Sequence, residues 1–375
     1  MRVLFFTWSY YPAPAGGAER QAKLQAEELT RRGHVVTVVC PRTSRETSGP
    51  IENVYVRRLF RIDARPLRRL SYLCALLGFS LAHIRSFDVV HIHLANLQAD
   101  VIVPCALLMR RPVYIKVACG GEVGEVQRLA KVALLTRWFG LRHASCVQAL
   151  SQEIVEELKS IGVPSRRIIS VPNGLDYQNF APAGPREKAS LRKLLGLPEA
   201  AIIVLFAGRF ARYKGLHELF AVWRTMNRPT HALLLLVGSA DVDDGQPDIE
   251  NGADLLVRGW TNEIRNYLRA ADVFVYPSYA DGMSNALLEA MSCGLAIVAT
   301  RSGAAEEMID HGASGLLFDA RDQHALDASL TRVLVDSRFR KELGRCARAR
   351  AGDYSIEFVV DRIEAAYMQM MRGAP

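Results

Sequence analysis

The sequence predicts two α/β domains in tandem, each a parallel sheet wrapped by helices, and three observations carry that prediction. The first half alternates strand, loop and helix. The alternation restarts after a polar connector at 173–198. The strands of the restart, AIIVLFAG, LLLLVG, DLLVRG, DVFVYPS and LAIVAT, are nearly continuous apolar runs. Such runs belong to strands buried on both faces, hence to parallel sheets. At 375 residues, 50% of them apolar, the chain also exceeds what one compact domain usually holds.

In the first half, residues 2–7 read as a strand, 17–32 as a helix and 34–40 as a second strand, with further strands at 88–93, 112–117 and 168–171. The expected boundaries are 1–175 for the N-terminal domain, 176–352 for the C-terminal domain and 353–375 for a terminal helix packing back on the first. Tandem domains of this class place ligands at the carboxyl ends of their strands, facing a shared crevice.

Composition narrows the class further. No apolar stretch approaches the roughly 20 residues of a spanning helix, and MRVLFFTW reads as a core strand instead of a signal peptide. The seven cysteines are odd in number, scattered and without paired metal-ligand spacing. A reduced, cytoplasmic protein without structural zinc is expected. Residues 1–172 carry 24 Lys/Arg against 13 Asp/Glu, whereas 173–375 carry 23 against 26. Much of the basic excess sits in RRLFRIDARPLRRL (57–70), which leads into SYLCALLGFSLA. That stretch reads either as a basic amphipathic element suited to an anionic membrane surface or as a solvated helix face.

The most informative segment is DGMSNALLEAMSCGLAIVAT at 281–300. Ser284 or Asn285 caps a helix running to about Cys293, and Gly294 closes it before the next strand. The amides of Gly282, Met283, Ser284 and Asn285 then lie at a helix N-terminus, where free N–H groups and the dipole favour a phosphate or sugar hydroxyls. Asp281 adjoins those amides. Glu289, eight positions on, lies two turns along, where a carboxylate can accept two hydrogen bonds from a ribose diol. In GRFARYKG, at the end of the strand AIIVLFAG, Gly208 opens the loop, Arg209 offers a planar fork for phosphate oxygens and Lys214 a mobile charge. In APAGGAER, Gly16 and Gly17 let the backbone approach a ligand at the first strand–helix turn.

Together these segments resemble the family-4 retaining glycosyltransferases of the GT-B fold, the glycosyl transferases group 1, of bacterial envelope or exopolysaccharide type. The family signature is an acid, seven intervening residues and a second acid. The resemblance runs nearly full length, through VPNGLD, RGW and AADVFVYPS. It implies that Asp281 contacts the donor sugar, Glu289 the ribose, and Arg209 and Lys214 the diphosphate. It further implies that Arg258 and Gly259 hold the base and that the Gly16-Gly17 loop closes over the phosphates. Retention of anomeric configuration, a UDP-sugar ahead of a GDP-sugar, and a lipid-linked or polysaccharide acceptor follow from the same resemblance. Two departures stand out: Asp281 replaces the usual Glu, and VACGGEVG replaces the His-Gly turn after the strand at 112–117.

On the acceptor side His93, Lys116, Cys119 and Glu122 are candidates by position. His91 and His93 share a strand face, but two histidines do not complete a metal site. Asp241–Asp244 imitate an Asp-x-Asp metal motif within a Gly/Asp/Pro loop and read as solvated. No metal or cofactor is expected, because Arg209, Lys214 and the helix N-terminus can neutralise a diphosphate. The nucleotide-sugar is a substrate. The expected partners are the acceptor and, peripherally, the inner face of the cell membrane, with no nucleic acid. Two alternatives remain at this stage: a non-catalytic sugar- or nucleic-acid-binding protein of the same fold, and a nicotinamide-dependent oxidoreductase, which lacks its G-x-G-x-x-G.

Overall fold

A computed structural model describes all residues except 13–15, 43–47, 65–66, 122–123, 133–137, 240–250, 281 and 374–375. The chain forms two compact units, Met1–Gly174 with Ile356–Pro375, and Leu175–Ser355.

In the first unit β1 (Arg2–Phe6), α1 (Gly17–Arg31) and β2 (Val35–Pro41) open the alternation, followed by β3 (Gly49–Ile51), β4 (Val54–Leu59) and α2 (Leu67–His83). Then come β5 (Val89–His93), α3 (Leu97–Leu108), β6 (Val113–Val117), α4 (Glu125–Val132), α5 (Phe139–His143), β7 (Cys146–Ala149), α6 (Gln152–Ser160) and β8 (Ile168–Ser170). The sheet order is β3-β4-β2-β1-β5-β6-β7-β8, parallel apart from the β3–β4 hairpin. Strands β5 and β6 are buried at every residue, including the polar His91, His93 and Lys116.

The second unit contains α7 (Pro185–Leu194), β9 (Ile202–Ala207), α8 (Leu216–Thr225), β10 (Ala232–Val237), β11 (Leu255–Arg258), α9 (Ile264–Ala270) and β12 (Val273–Tyr276). It continues through α10 (Asn285–Ser292), β13 (Ala296–Thr300), α11 (Ala305–Met308), β14 (Leu316–Phe318), α12 (Gln323–Val335) and α13 (Ser337–Ala351). Its sheet is wholly parallel, in the order β11-β10-β9-β12-β13-β14. The chain then returns to the first unit as α14 (Ile356–Arg372). Val359, Val360, Ile363 and Tyr367 of α14 join the core formed by Val3, Phe5, Ala22, Ala26 and Val38. Arg32 locks the helix from outside, through Asp361 at 2.5 Å and Glu364 at 2.5 Å.

Three local readings change. The basic stretch beginning at Arg57 is not continuous with a helix: Arg57 and Arg58 lie in β4, and Arg58 is 7% exposed, donating to the carbonyl of Tyr11 at 2.8 Å. The connector at 173–198 contains a helix, α7, held by charge. Lys188 and Arg192 both reach Asp272, at 2.6 and 2.7 Å. Finally, β7 is a strand of four buried residues that lacked a long apolar run.

Candidate functional site

In the second unit four strands, β9 to β12, end side by side, and the loops leaving them carry most of the residues singled out in the sequence. After β9, Gly208 turns with its amide bonded to the carbonyl of Val237 at 3.0 Å. Gly238, after β10, abuts it so closely that a Cβ there would fall 1.8 Å from the Gly208 carbonyl oxygen. Only glycine fits that approach. The Gly238 amide in turn donates to the carbonyl of Arg258 at the end of β11, at 3.1 Å. Arg258 is half-buried and Gly259 exposed.

The loop after β9 is fastened to the loop after β12. A single 3-10 turn, Arg212–Lys214, ends at Gly215 with φ +68°, and a Cβ on Gly215 would lie 2.2 Å from the carbonyl oxygen of Pro277. The amide of Tyr279 donates to the carbonyl of Tyr213 at 3.1 Å, and the Tyr279 hydroxyl to that of Arg212 at 2.8 Å. Tyr213 organises the two cations. Arg209 Nη2 donates to its hydroxyl at 2.6 Å, and Lys214 Nζ stands 5.3 Å from its ring centroid and 5.7 Å from that of Tyr276. A ring face next to an ammonium limits its wandering without discharging it. Tyr213 was missed in the sequence, although it stands between the two cations in GRFARYKG.

Beyond β12, α10 begins at Asn285 with Ser284 as its cap, the Ser284 hydroxyl accepting from the Leu287 amide at 3.3 Å. Gly282 and Met283 are buried, and the Gly282 carbonyl accepts from the Ala304 amide at 3.3 Å, which fixes the approach to the helix. Glu289 is 5% exposed on α10. Asp281 lies outside the described residues, as do Asp241–Asp244 and Glu122.

In the first unit Gly16 caps α1, and burial raises the Glu19 carboxyl against the amides of Gly16 and Glu19 that bind it. Residues 13–15 of this loop lie outside the described residues. His93 is fully buried, stacked on His91 with ring centroids 4.1 Å apart, and its ring nitrogens have no hydrogen-bond partner among the described residues. Burial keeps it neutral by pushing its pKa well down, with His91 and Lys116 adding to the effect. Lys116 is 1% exposed and donates to Oδ1 of Asn173 at 2.6 Å; burial lowers its ammonium to about 7, opposed by Glu125. The Cys119 amide donates to Glu125 at 2.7 Å and that of Ala118 at 3.1 Å, so Glu125 shapes the turn after β6.

The chain resembles known proteins over nearly its full length. Residues 201–336 match a family model for Glycosyl transferases group 1, and residues 15–179 match one for Glycosyltransferase Family 4. The chain is 27% identical to a D-inositol 3-phosphate glycosyltransferase of Corynebacterium jeikeium, over 95% of this chain and 92% of that protein. It is 26% identical to the UDP-Gal:alpha-D-GlcNAc-diphosphoundecaprenol alpha-1,3-galactosyltransferase of Escherichia coli, over 95% and 94%. Among solved structures, Anabaena HepE in complex with UDP-glucose shares the fold with a TM-score of 0.80 at 20% identity, covering 98% of this chain and 100% of that one.

Proposed function

Because the chain belongs to the group 1, family 4 glycosyltransferases of GT-B fold, we propose that it moves a sugar from a nucleoside-diphosphate donor, UDP-linked, to a lipid-linked or polysaccharide acceptor of the cell envelope. The observation that carries this reading is the cation pair of the second unit. Arg209 and Lys214 are organised by one tyrosine, on a loop fastened to the one that leads into α10. As the bond from the anomeric carbon to the diphosphate breaks, negative charge grows on the phosphate oxygens, and these cations with the amides at 282–285 would stabilise it. Glu289 would accept the ribose hydroxyls, with Arg258 and Gly259 beside the base and Asp281 beside the sugar. The acceptor oxygen forms the new bond from the face the diphosphate leaves, and its proton passes to a departing phosphate oxygen. That route retains the anomeric configuration.

Two relatives support the choice of donor and acceptor: one is named for a UDP-linked galactose and a diphosphoundecaprenol acceptor, and the other was solved with UDP-glucose. Among the described residues no helix is long and apolar enough to cross a membrane. We place the chain peripherally on the inner face of the membrane on the strength of the exposed leucines of α2 beside Arg68 and Arg69.

The test is nucleotide release from a panel of UDP-, GDP- and ADP-sugars, with and without a lipid diphosphate sugar, repeated after exhaustive chelation. UDP release that rises with acceptor and survives chelation is expected. No release from any donor would overturn the transferase reading, and activity restored only by a divalent ion would overturn its metal-free part.

A further inference from the structure

The first unit contains a cavity of about 360 Å³ at the carboxyl ends of β1 and β5. It lies outside every residue the proposed donor chemistry uses. Four separate segments enclose it: Trp8 after β1, the start of α2 with Arg69, Tyr72 and Leu73, residues 94–97 after β5, and α4 with Arg128 and Leu129. A volume near the lower end of the small-molecule range, roughly 300–1,000 Å³, suits a headgroup with a short apolar segment and not a whole lipid.

The wall is amphipathic. Trp8 stands edge-on to Tyr72, with centroids 5.7 Å apart at 82°, and the leucines complete an apolar lining. Against it stand two guanidinium groups, Arg69 and Arg128, both exposed and neither in an ion pair within 4 Å among the described residues. The one acid in the wall, Glu125, accepts from the amides of Ala118 and Cys119, with the charge of Arg128 acting on it without an ion pair. Tyr72 is fully buried, its hydroxyl has no hydrogen-bond partner among the described residues, and burial keeps it protonated. The cavity therefore offers two guanidinium groups to an anion and apolar surface to what the anion is attached to.

Helix α2 continues that surface outward. Leu67, Leu70, Leu77 and Leu81 are exposed, Leu70 at 60% and Leu81 at 47%. Leu73 of the cavity wall is three residues after Leu70 and four before Leu77, so wall and stripe adjoin on the helix surface.

We propose that this cavity seats the acceptor as a phosphate or diphosphate held by Arg69 and Arg128, with the first carbons of its apolar chain against Tyr72, Leu73 and Leu129 and the rest running along the leucine stripe of α2. The inference rests on the sugar-transfer reading and deepens it. It selects a lipid-borne anionic acceptor over a free polysaccharide.

The test is calorimetric titration of the full chain with farnesyl diphosphate, inorganic diphosphate and farnesol, all under saturating UDP so that the donor phosphate subsite is filled. Farnesyl diphosphate is expected to bind at least roughly tenfold more tightly than either fragment. Arg69→Gln with Arg128→Gln should weaken it by a similar factor while leaving UDP affinity, which reports the fold, unchanged. Leu73→Ser should weaken farnesyl diphosphate but not inorganic diphosphate. Equal affinity of farnesyl and inorganic diphosphate would overturn the proposal in favour of a free-anion site, and indifference to the arginine pair would overturn it outright. Arginine-dependent binding in a chain that releases nucleotide from no donor would uphold the cavity and sink the transferase reading instead.

Discussion

Lys116 holds an ammonium group where water does not reach, bonded to Asn173 one residue before the unit ends at Gly174. Burial lowers its pKa from 10.5 to about 7. Between those values the unfolded chain keeps the proton and the folded chain does not, so stability rises with pH across that window and the full penalty applies below it. Lys116→Met removes the dependence. Urea unfolding at pH 7 and pH 9.5 should show the native chain gaining roughly 3 kcal/mol relative to the variant, at about 1.4 kcal/mol per pH unit. A constant difference between the two proteins would mean that Lys116 is charged in the fold. Arg209 and Lys214 present the opposite case, cations whose value lies in the reaction. Arg209→Ala or Lys214→Ala should lower turnover by more than about 100-fold, the scale of losing one oxyanion stabiliser, without moving the melting temperature. Near-normal turnover in both variants would remove the pair from the mechanism.

Elements were legible in the sequence where one force dominated. The α10 segment shows its cap at Ser284, its closing glycine at Gly294, with φ +74°, and the strand that follows, all within 281–300. The strands of the second sheet were legible because burial on both faces leaves no polar positions to confuse the reading. The hairpin of β3 and β4 was not, because Arg58 is buried by partners far away in sequence, Tyr11 and Cys40. Helix α7 was hidden for a related reason: its anchor is Asp272, 80 residues from Arg192. The cavity of the first unit, assembled from four separate segments, left no local signal at all. Loop fastening gives a prediction at this scale. Gly215→Ala forces a Cβ onto the carbonyl of Pro277 and must shift the turn that carries Lys214. A displacement near 1 Å costs on the order of 100-fold in rate. Steady-state kinetics should show that loss in kcat/KM with the first unit's farnesyl diphosphate affinity intact; unchanged kcat/KM would show that Lys214 need not be held in register.

Over the whole molecule, charge is divided between the units. The first carries 26 Lys/Arg against 16 Asp/Glu and the second 21 against 23. The first is also the one whose α2 leaves a row of leucines uncovered, with the exposed Arg68 and Arg69 near its start. An apolar stripe beside basic side chains suits the boundary of an anionic bilayer, where each Lys or Arg contributes about 1 kcal/mol and the leucines add burial in the acyl region. Arg65 belongs to the same basic run but lies outside the described residues. Sedimentation with vesicles separates the two contributions. The native chain should pellet with vesicles rich in phosphatidylserine and much less with neutral ones, and the difference should shrink as salt is raised. Arg68→Gln should reduce binding to the anionic vesicles only. Leu70→Ser with Leu77→Ser and Leu81→Ser should reduce binding to both, because the stripe and not the charge is lost. Equal partitioning of native and variant chains onto both vesicle types would reject the membrane surface for α2, leaving the second unit's chemistry intact, since none of its residues lies on that helix.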